Sequence, residues 1–198
     1  MSDIIYTYGN EVYANLTNHC DCNCTFCIRS NGDGLGSSDM LWFQGDPDLT
    51  QIKSAVDAFL FQGYSELVFC GYGEPTCALD NLIATAAYVK EKYHLRTRLN
   101  TNGLGNLYHG RNIVPDLLPV MDTISISLNA PTEEKYQQIC RPAFPDALSA
   151  VITFASLCRD AGIDTKLTLV NVISPEEIEA CQKIAEDLQI PLRVREFT

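Results

Sequence analysis

The sequence predicts an α/β fold with a mainly parallel sheet, on three observations. Short runs rich in β-branched and aromatic residues recur along the chain, and stretches with helical spacing separate them. From the second run onward the starts repeat every ~25 to 40 residues, the length of a βαβ unit. Several runs are almost continuously apolar, as strands covered on both faces are. No linker, low-complexity tract or further repeat interrupts the 198 residues, so a single domain over 1–198 is expected.

The strands are expected at 12–17, 66–70, 96–101, 123–128, 165–172 and 192–197. Helices are expected at 48–62, 80–93, 132–140, 146–161 and 175–188, with Pro175 after Ser174 marking a start and Gly162 after Ala161 a stop. Six βα units are too few for an eight-stranded barrel, which takes ~250 residues. A partial, six-stranded TIM-like barrel or an open doubly wound sheet remains. The first interval is anomalous, because roughly fifty residues separate the first two strands where ~2 to 6 plus one helix is ordinary. It holds HCDCNCTFCIRS and the Gly/Ser-rich NGDGLGSSD, at the C-terminal end of a strand, where parallel α/β folds place their ligands.

Composition narrows the chemistry. With 46% hydrophobic residues the chain can bury a core. A net charge of −11 with only 14 Lys and Arg disfavours a nucleic-acid partner, which is bound by cations that displace counterions. MSDIIYTYGN carries no secretory pattern and no run approaches the ~18 apolar residues of a membrane span, so a cytoplasmic protein is expected. Nine cysteines, an odd number and locally clustered, point in that setting to metal or redox chemistry rather than disulfides.

Four of them, Cys20, Cys22, Cys24 and Cys27, lie within eight positions. Zinc sites usually join two separated pairs, and Cys70, Cys77, Cys140, Cys158 and Cys181 provide no second C-x-x-C. A single local zinc site stays open but explains nothing else in the chain.

Cys20, Cys24 and Cys27 form C-x3-C-x2-C, with Phe26 before the last cysteine, and this resembles the signature of the radical S-adenosylmethionine (SAM) enzymes. The resemblance extends down the chain. FCGYGEPT is similar to the family's Gly-Gly-Glu-Pro segment, with Tyr72 interposed between Gly71 and Gly73. RLNTNG offers Asn100, SISLNAP offers Ser127 and Asn129, and TLVNVI offers Asn171, all at expected strand ends. YGNEVYANLTNHC, CTFCIRS, LWF, FCGYGEPT and ICRPAF together look most like the small TatD-associated radical SAM proteins.

The resemblance implies a partial (β/α)6 TIM-like barrel. It implies a [4Fe-4S] cluster on Cys20, Cys24 and Cys27 as metal ligands, with one iron left open for SAM. Phe26, Gly73, Glu74, Asn100, Ser127, Asn129 and Asn171 become the cofactor-binding set, Glu74 accepting from the SAM amino group. An external one-electron reductant would then drive reductive SAM cleavage to a 5′-deoxyadenosyl radical that abstracts hydrogen from an unidentified small-molecule substrate. Modification of a protein or nucleic acid, or a zinc-binding interaction module without catalysis, are the alternatives. Cys22 is expected to be a bystander, solvent-facing or packed, with an exchangeable fourth ligand as the other option. Cys140 is expected to be buried, with a role as hydrogen-atom donor or substrate contact as the other option. Arg29 and Arg195 can each meet a carboxylate or form a surface ion pair.

Overall fold

The computed structural model describes residues 3–197. Met1, Ser2 and Thr198, which end the expected domain and the LRVREFT run, lie outside the described residues. Seven strands form a mostly parallel sheet whose strand order is their order in the chain. They are β1 (Ile5–Tyr8), β2 (Glu11–Ala14), β3 (Glu66–Phe69), β4 (Arg96–Thr101), β5 (Thr123–Ser127), β6 (Asp164–Val170) and β7 (Leu192–Arg195). The helices are α1 (Leu49–Ala58), α2 (Leu79–Tyr93), α3 (Gly105–His109), α4 (Val114–Leu117), α5 (Glu133–Cys140), α6 (Ala147–Asp160) and α7 (Pro175–Asp187). From β2 to β7 this is the alternation of a partial (β/α)6 TIM-like barrel.

β1 is absent from the sequence expectation. IYTY has only four residues, and Gly9 at φ 58° turns it back onto β2 as an antiparallel hairpin, with Tyr8 opposite Glu11. The short helices α3 and α4 were equally invisible, since five or fewer residues cannot display a 3.6-residue period.

The chain folds as two compact units. One takes in the residues up to Cys20 together with Ile28–Asn100 and Pro119–Asp122; the other takes in Asp21–Cys27, Thr101–Leu118 and the residues from Thr123 onward. In the first, the parallel register aligns Val12 with Leu67 and Ala14 with Phe69, then Phe69 with Leu99. These side chains are fully buried, as are Ile52 and Val56 of α1 and Leu82, Ala86 and Val89 of α2. Alternate residues point to the opposite face. There Arg98 reaches Glu11 at 2.5 Å and Glu66 at 3.4 Å, and Tyr13 donates to Glu11 at 2.5 Å. Burial and the Glu11 carboxylate hold the Tyr13 hydroxyl well above its usual range.

The second unit repeats the pattern. Ile124, Ile126, Leu167 and Leu169 are buried, as are Val151, Phe154 and Ala155 of α6, while Ser127 aligns with Thr168 on the other face. β5 and β6 therefore alternate, with one face of each given largely to polar groups. β3 keeps a continuous, fully buried apolar run, Leu67–Val68–Phe69.

Helix ends follow the expected chemistry. Asp48 with Gln51 and Ser174 with Glu177 form capping boxes, and Pro175 occupies the first turn of α7. α6 begins differently. Its N-cap Asp146 sits in the left-handed region and makes no side-chain cap. The Glu133 carboxylate of α5 takes that role, accepting from Ala147 N and Leu148 N at 2.9 Å each and from Gln137 Nε2 at 2.8 Å. A carboxylate against a helix N-terminus satisfies two orphan N–H groups and opposes the helix dipole.

Glu133→Ala is therefore expected to lower stability by about 1–2 kcal/mol, the usual loss for an N-cap. Urea unfolding would show a lower midpoint at an unchanged slope. An unchanged midpoint would mean that the α5–α6 cap carries no net stability.

Candidate active site

The stretch that leaves β2 is fixed by side chains before any cysteine is reached. Asn15 is fully buried; its Nδ2 donates to Leu41 O at 2.7 Å and its Oδ1 accepts from Tyr72 N at 3.2 Å. The Thr17 hydroxyl donates to one Asp46 oxygen, and Asn18 N donates to the other at 3.0 Å. The Asn18 amide pairs with the Phe43 backbone in both directions, at 2.8 and 3.1 Å. Buried backbone that does not continue a sheet must find partners, and here the 41–46 loop supplies them.

The GYGEP segment after β3 packs onto this stretch. A Cβ on Gly73 would stand 2.2 Å from Thr17 O and 2.6 Å from His19 O, so only glycine allows the approach. Glu74 N then donates to His19 O at 2.7 Å, one residue before Cys20. The Glu74 side chain is buried; its Oε1 accepts from Thr76 N at 3.1 Å and from the Thr76 hydroxyl at 2.8 Å.

Gly71 and Tyr72, the departure from Gly-Gly-Glu-Pro, have a structural account. A Cβ on Gly71 would lie 2.1 Å from Asn15 Oδ1, so this glycine makes room for the Asn15 anchor. The Tyr72 ring packs with Tyr6 and Leu41 and edge-on to Trp42, with centroids 5.1 Å apart. Its hydroxyl donates toward Gly32 O at 2.7 Å and Gly34 O at 3.1 Å. The interposed tyrosine thus pins the Gly-rich loop. Arg29 lies with its guanidinium 5.8 Å from the Trp42 ring and within 3.5 Å of Tyr72 O.

In the other unit, residues 21–25 run antiparallel to 139–143. Thr25 N donates to Ile139 O at 2.9 Å, Asn23 N to Cys140 O and Arg141 O at 3.1 and 3.2 Å, and Ala143 N to Asp21 O at 2.8 Å. Cys22 bridges Pro142 within this ladder. The carbonyls that end α5 are thereby satisfied by amides of the cysteine loop. Arg141, left-handed at φ 46°, turns the chain for the purpose. The Asn102 amide donates to Asp21 Oδ1 and, at 3.6 Å, to Cys22 Sγ. Burial raises the Asp21 carboxyl above its ordinary range in spite of that amide. Cys22 is buried, the packed form of the bystander expected from sequence.

Cys140 is also buried, and its thiol hydrogen bonds with that of Cys24. Asn129 Nδ2 donates to Cys140 Sγ at 3.7 Å, and the Tyr136 hydroxyl bonds to it as well. The Cys24 contact and burial together hold the Cys140 thiol far above its usual range, so it stays protonated. Burial does the same to Cys158 and Cys181, each pushed up to about 12.

Of the expected cofactor-binding residues, Gly73 and Glu74 are brought together with the backbone leading to Cys20. Asn100, half-buried, lies on the polar face of β4, and Ser127, also half-buried, ends β5. Asn129 is buried at φ 57°, and its Oδ1 has no hydrogen-bond partner. Phe26 is half-buried in the loop. Asn171 is exposed, and its Oδ1 accepts from Phe197 N at 2.7 Å, tying down the chain beyond β7. An open groove of about 1390 Å³ lined by Ile4, Trp42, Phe43, Ala55 and Phe59 among others contains none of these residues.

Asn15, Asn18, Asp46, Asn102 and the ladder at Cys140 escaped the sequence reading. The polar residues of NLTN, interrupting a strand exit, were the available signal.

The donor set suits an iron–sulfur group. Cys20, Cys24 and Cys27 are half-exposed and in no disulfide, and thiolate is the ligand such clusters take. Among the described residues no three His, Cys, Asp or Glu side chains stand close enough to hold one metal ion as they are. A cluster taking one thiolate per iron spreads its ligands wider than a single ion does. The Gly73 approach and the orphaned Asn129 oxygen are the further features that fit a bound cofactor.

Known proteins resemble this chain in sequence or in fold. GTP 3′,8-cyclase of Erythrobacter litoralis (strain HTCC2594) is 26% identical over 175 residues, covering 85% of this chain and 48% of that protein. The structure of Streptococcus suis SuiB bound to precursor peptide SuiA superposes with a TM-score of 0.66 at 17% identity, over 98% of this chain and 40% of that one. That of native anSMEcpe with bound AdoMet gives 0.65 at 17% identity, over 94% and 50%. The chain thus spans about half the length of these relatives or less. The family model described as "Radical SAM superfamily" matches residues 14–188, from the end of β2 to the end of α7, and the chain belongs to that superfamily.

Proposed function

We propose that this chain is a single radical SAM core domain, 1–198, and an enzyme. Cys20, Cys24 and Cys27 hold a [4Fe-4S] cluster, and SAM binds beside it. The observation that carries the reading is the 2.7 Å hydrogen bond from Glu74 N to His19 O. It joins the Gly-Glu-Pro segment to the residue before the first cluster cysteine.

Glu74 accepts from the SAM ammonium group. Its carboxylate is aimed in advance by Thr76, whose N–H and hydroxyl both hold Oε1, so little orienting entropy is lost on binding. Gly73 lets the backbone come close enough to meet the ligand. Asn100, Ser127 and Asn129 take the methionine and ribose groups from the ends of β4 and β5, with Asn171 contributing from beyond β6. The buried Asn129 Oδ1 is an acceptor that a ribose hydroxyl would satisfy. Phe26, before the last cysteine, completes the cofactor-binding set. Bound there, the cluster would supply one electron, received from an external reductant, for reductive cleavage of SAM to methionine and a 5′-deoxyadenosyl radical that takes hydrogen from substrate. The protein's share is placement and exclusion of water.

The substrate class proposed is a small molecule. A cyclase named for GTP among the relatives supports it, and a charge of −11 weighs against a nucleic acid. No helix among the described residues is long and apolar enough to cross a membrane, which accords with the cytoplasmic location proposed.

Anaerobic reconstitution with iron and sulfide, followed by dithionite and SAM, is expected to yield 5′-deoxyadenosine. Stoichiometric tight zinc in protein purified without oxygen, with no deoxyadenosine, would sink the reading. Added metabolite pools should raise the yield more than peptide or RNA; the reverse would move the substrate to the macromolecular class.

Thiol chemistry offers a check without turnover. Iodoacetamide near pH 8 is expected to alkylate Cys20, Cys24 and Cys27 of the metal-free protein well before the buried Cys158 and Cys181, whose thiols are pushed up to about 12. Cluster loading should then protect the triplet, as read by peptide mass mapping. Labelling of the triplet unchanged by loading would contradict the ligand assignment.

Glu74→Gln keeps the Thr76 contacts but loses the charge. SAM affinity of the reconstituted protein is expected to fall about 10- to 100-fold, the worth of a charge-assisted hydrogen bond, at unchanged iron content. Equal affinity by equilibrium dialysis would remove Glu74 from the SAM site.

A further inference from the structure

We propose that Cys140 is a positioning residue for Cys24: its S–H donates to the Cys24 sulfur, setting the direction of that sulfur and the ease with which the group it binds is reduced. The proposal rests on the reading of Cys24 as a cluster ligand.

The backbone settles where Cys24 points. Asn23 N and Thr25 N, on either side of it, are both tied to carbonyls at the end of α5. In an extended segment alternate side chains project to opposite sides. Asn23 and Thr25 are exposed, whereas Cys22 is buried and Cys24 half-buried. Cys24 thus turns toward the interior of its unit, where Cys140 lies at 1% exposure.

The hydrogen-bond chemistry then settles who donates. The Cys140 sulfur already accepts from Asn129 Nδ2 at 3.7 Å and from the Tyr136 hydroxyl, one turn earlier on α5. With two donors aimed at its lone pairs, Cys140 has its S–H left to give, and its hydrogen-bonding neighbour is Cys24. A metal-bound Cys24 is a thiolate and can only accept. The relay therefore runs in one direction, from Asn129 and Tyr136 through Cys140 to Cys24.

A hydrogen bond to a cluster sulfur favours the more negative, reduced state, and such bonds are among the factors that set cluster potentials. Cys140, expected from sequence to be buried, with hydrogen-atom donation or substrate contact as the other option, acquires a role that requires no access to substrate. The ICRP segment carries both parts of it: backbone carbonyls that hold the loop and a thiol that faces the ligand.

The test compares wild type, Cys140→Ala and Cys140→Ser, each loaded anaerobically with iron and sulfide. Iron content is measured, and the midpoint potential is followed by electron paramagnetic resonance without SAM. All three should hold the same iron. The alanine variant should be about fivefold harder to reduce, or about 40 mV lower for one electron, and serine, which restores a donor, should stay close to wild type. Loaded alanine protein with wild-type potential overturns the proposal. If the alanine variant does not load, the serine variant decides: loading at near-wild-type potential supports the proposal, and failure to load, or a potential as low as expected for alanine, overturns it. A wild type that takes up no cluster overturns instead the ligand reading on which the proposal rests.

Discussion

A β-carbon at position 73 would stand 2.2 Å from the Thr17 carbonyl oxygen, and the meeting of the segments that leave β2 and β3 depends on that contact. Because residue 73 is glycine, the segment after β3 lies directly on the segment after β2, and Glu74 N can reach His19 O. The same contact explains why the exit from β2 is so heavily anchored. Asn15, Thr17 and Asn18 each commit side-chain hydrogen bonds to the 41–46 loop, so the carbonyls that Gly73 meets are held where it meets them. Rigid backbone behind a cofactor site limits the entropy lost when the cofactor binds.

The second unit solves a related problem with a different device. A loop carrying cysteines is poor in apolar anchors and cannot hold itself by packing. Its amides instead complete the end of α5, replacing water or a glycine cap. α5 is in turn joined to α6 by the Glu133 carboxylate, and α6 packs its apolar side against β5 and β6. The loop thus inherits the stability of a packed helix through two hydrogen-bonded steps and one of apolar packing. Loss of any step should loosen Cys24 before it unfolds the unit.

Much of this was legible in the sequence, for identifiable reasons. The strands from β2 to β7 announce themselves through β-rich runs and the five longer helices through their period, with capping residues adding a start signal at α1, α5 and α7. Cys20, Cys24, Cys27, Gly73 and Glu74 can be nominated from sequence because the chemistry proposed for them is local: a spacing of thiols, a glycine before a glutamate. β1, α3 and α4 were missed because they are shorter than the periods that reveal them. The alternation of β5 can be read in TISIS itself, but which of its two faces meets the helices is a tertiary fact that the period does not state. The anchors Asn15, Asn102 and Cys140 have partners 57, 80 and more than 100 residues away along the chain, and no local pattern encodes them. Tyr72 is instructive in the other sense. As an interruption of a motif it weakens the resemblance, yet it pins the Gly-rich loop from the interior.

The central claim is that three thiolates leave one iron of a four-iron cluster open to SAM, beside Glu74. Electron–nuclear double resonance on the reduced, loaded protein with SAM labelled by ¹³C or ¹⁷O in its carboxylate measures this directly. A resolved coupling between label and cluster, lost in the Glu74→Gln variant at SAM concentrations that saturate wild type, is the result expected. A loaded cluster that shows no coupling at saturating SAM would contradict the claim, because it would place the cofactor away from the iron that Cys20, Cys24 and Cys27 leave open.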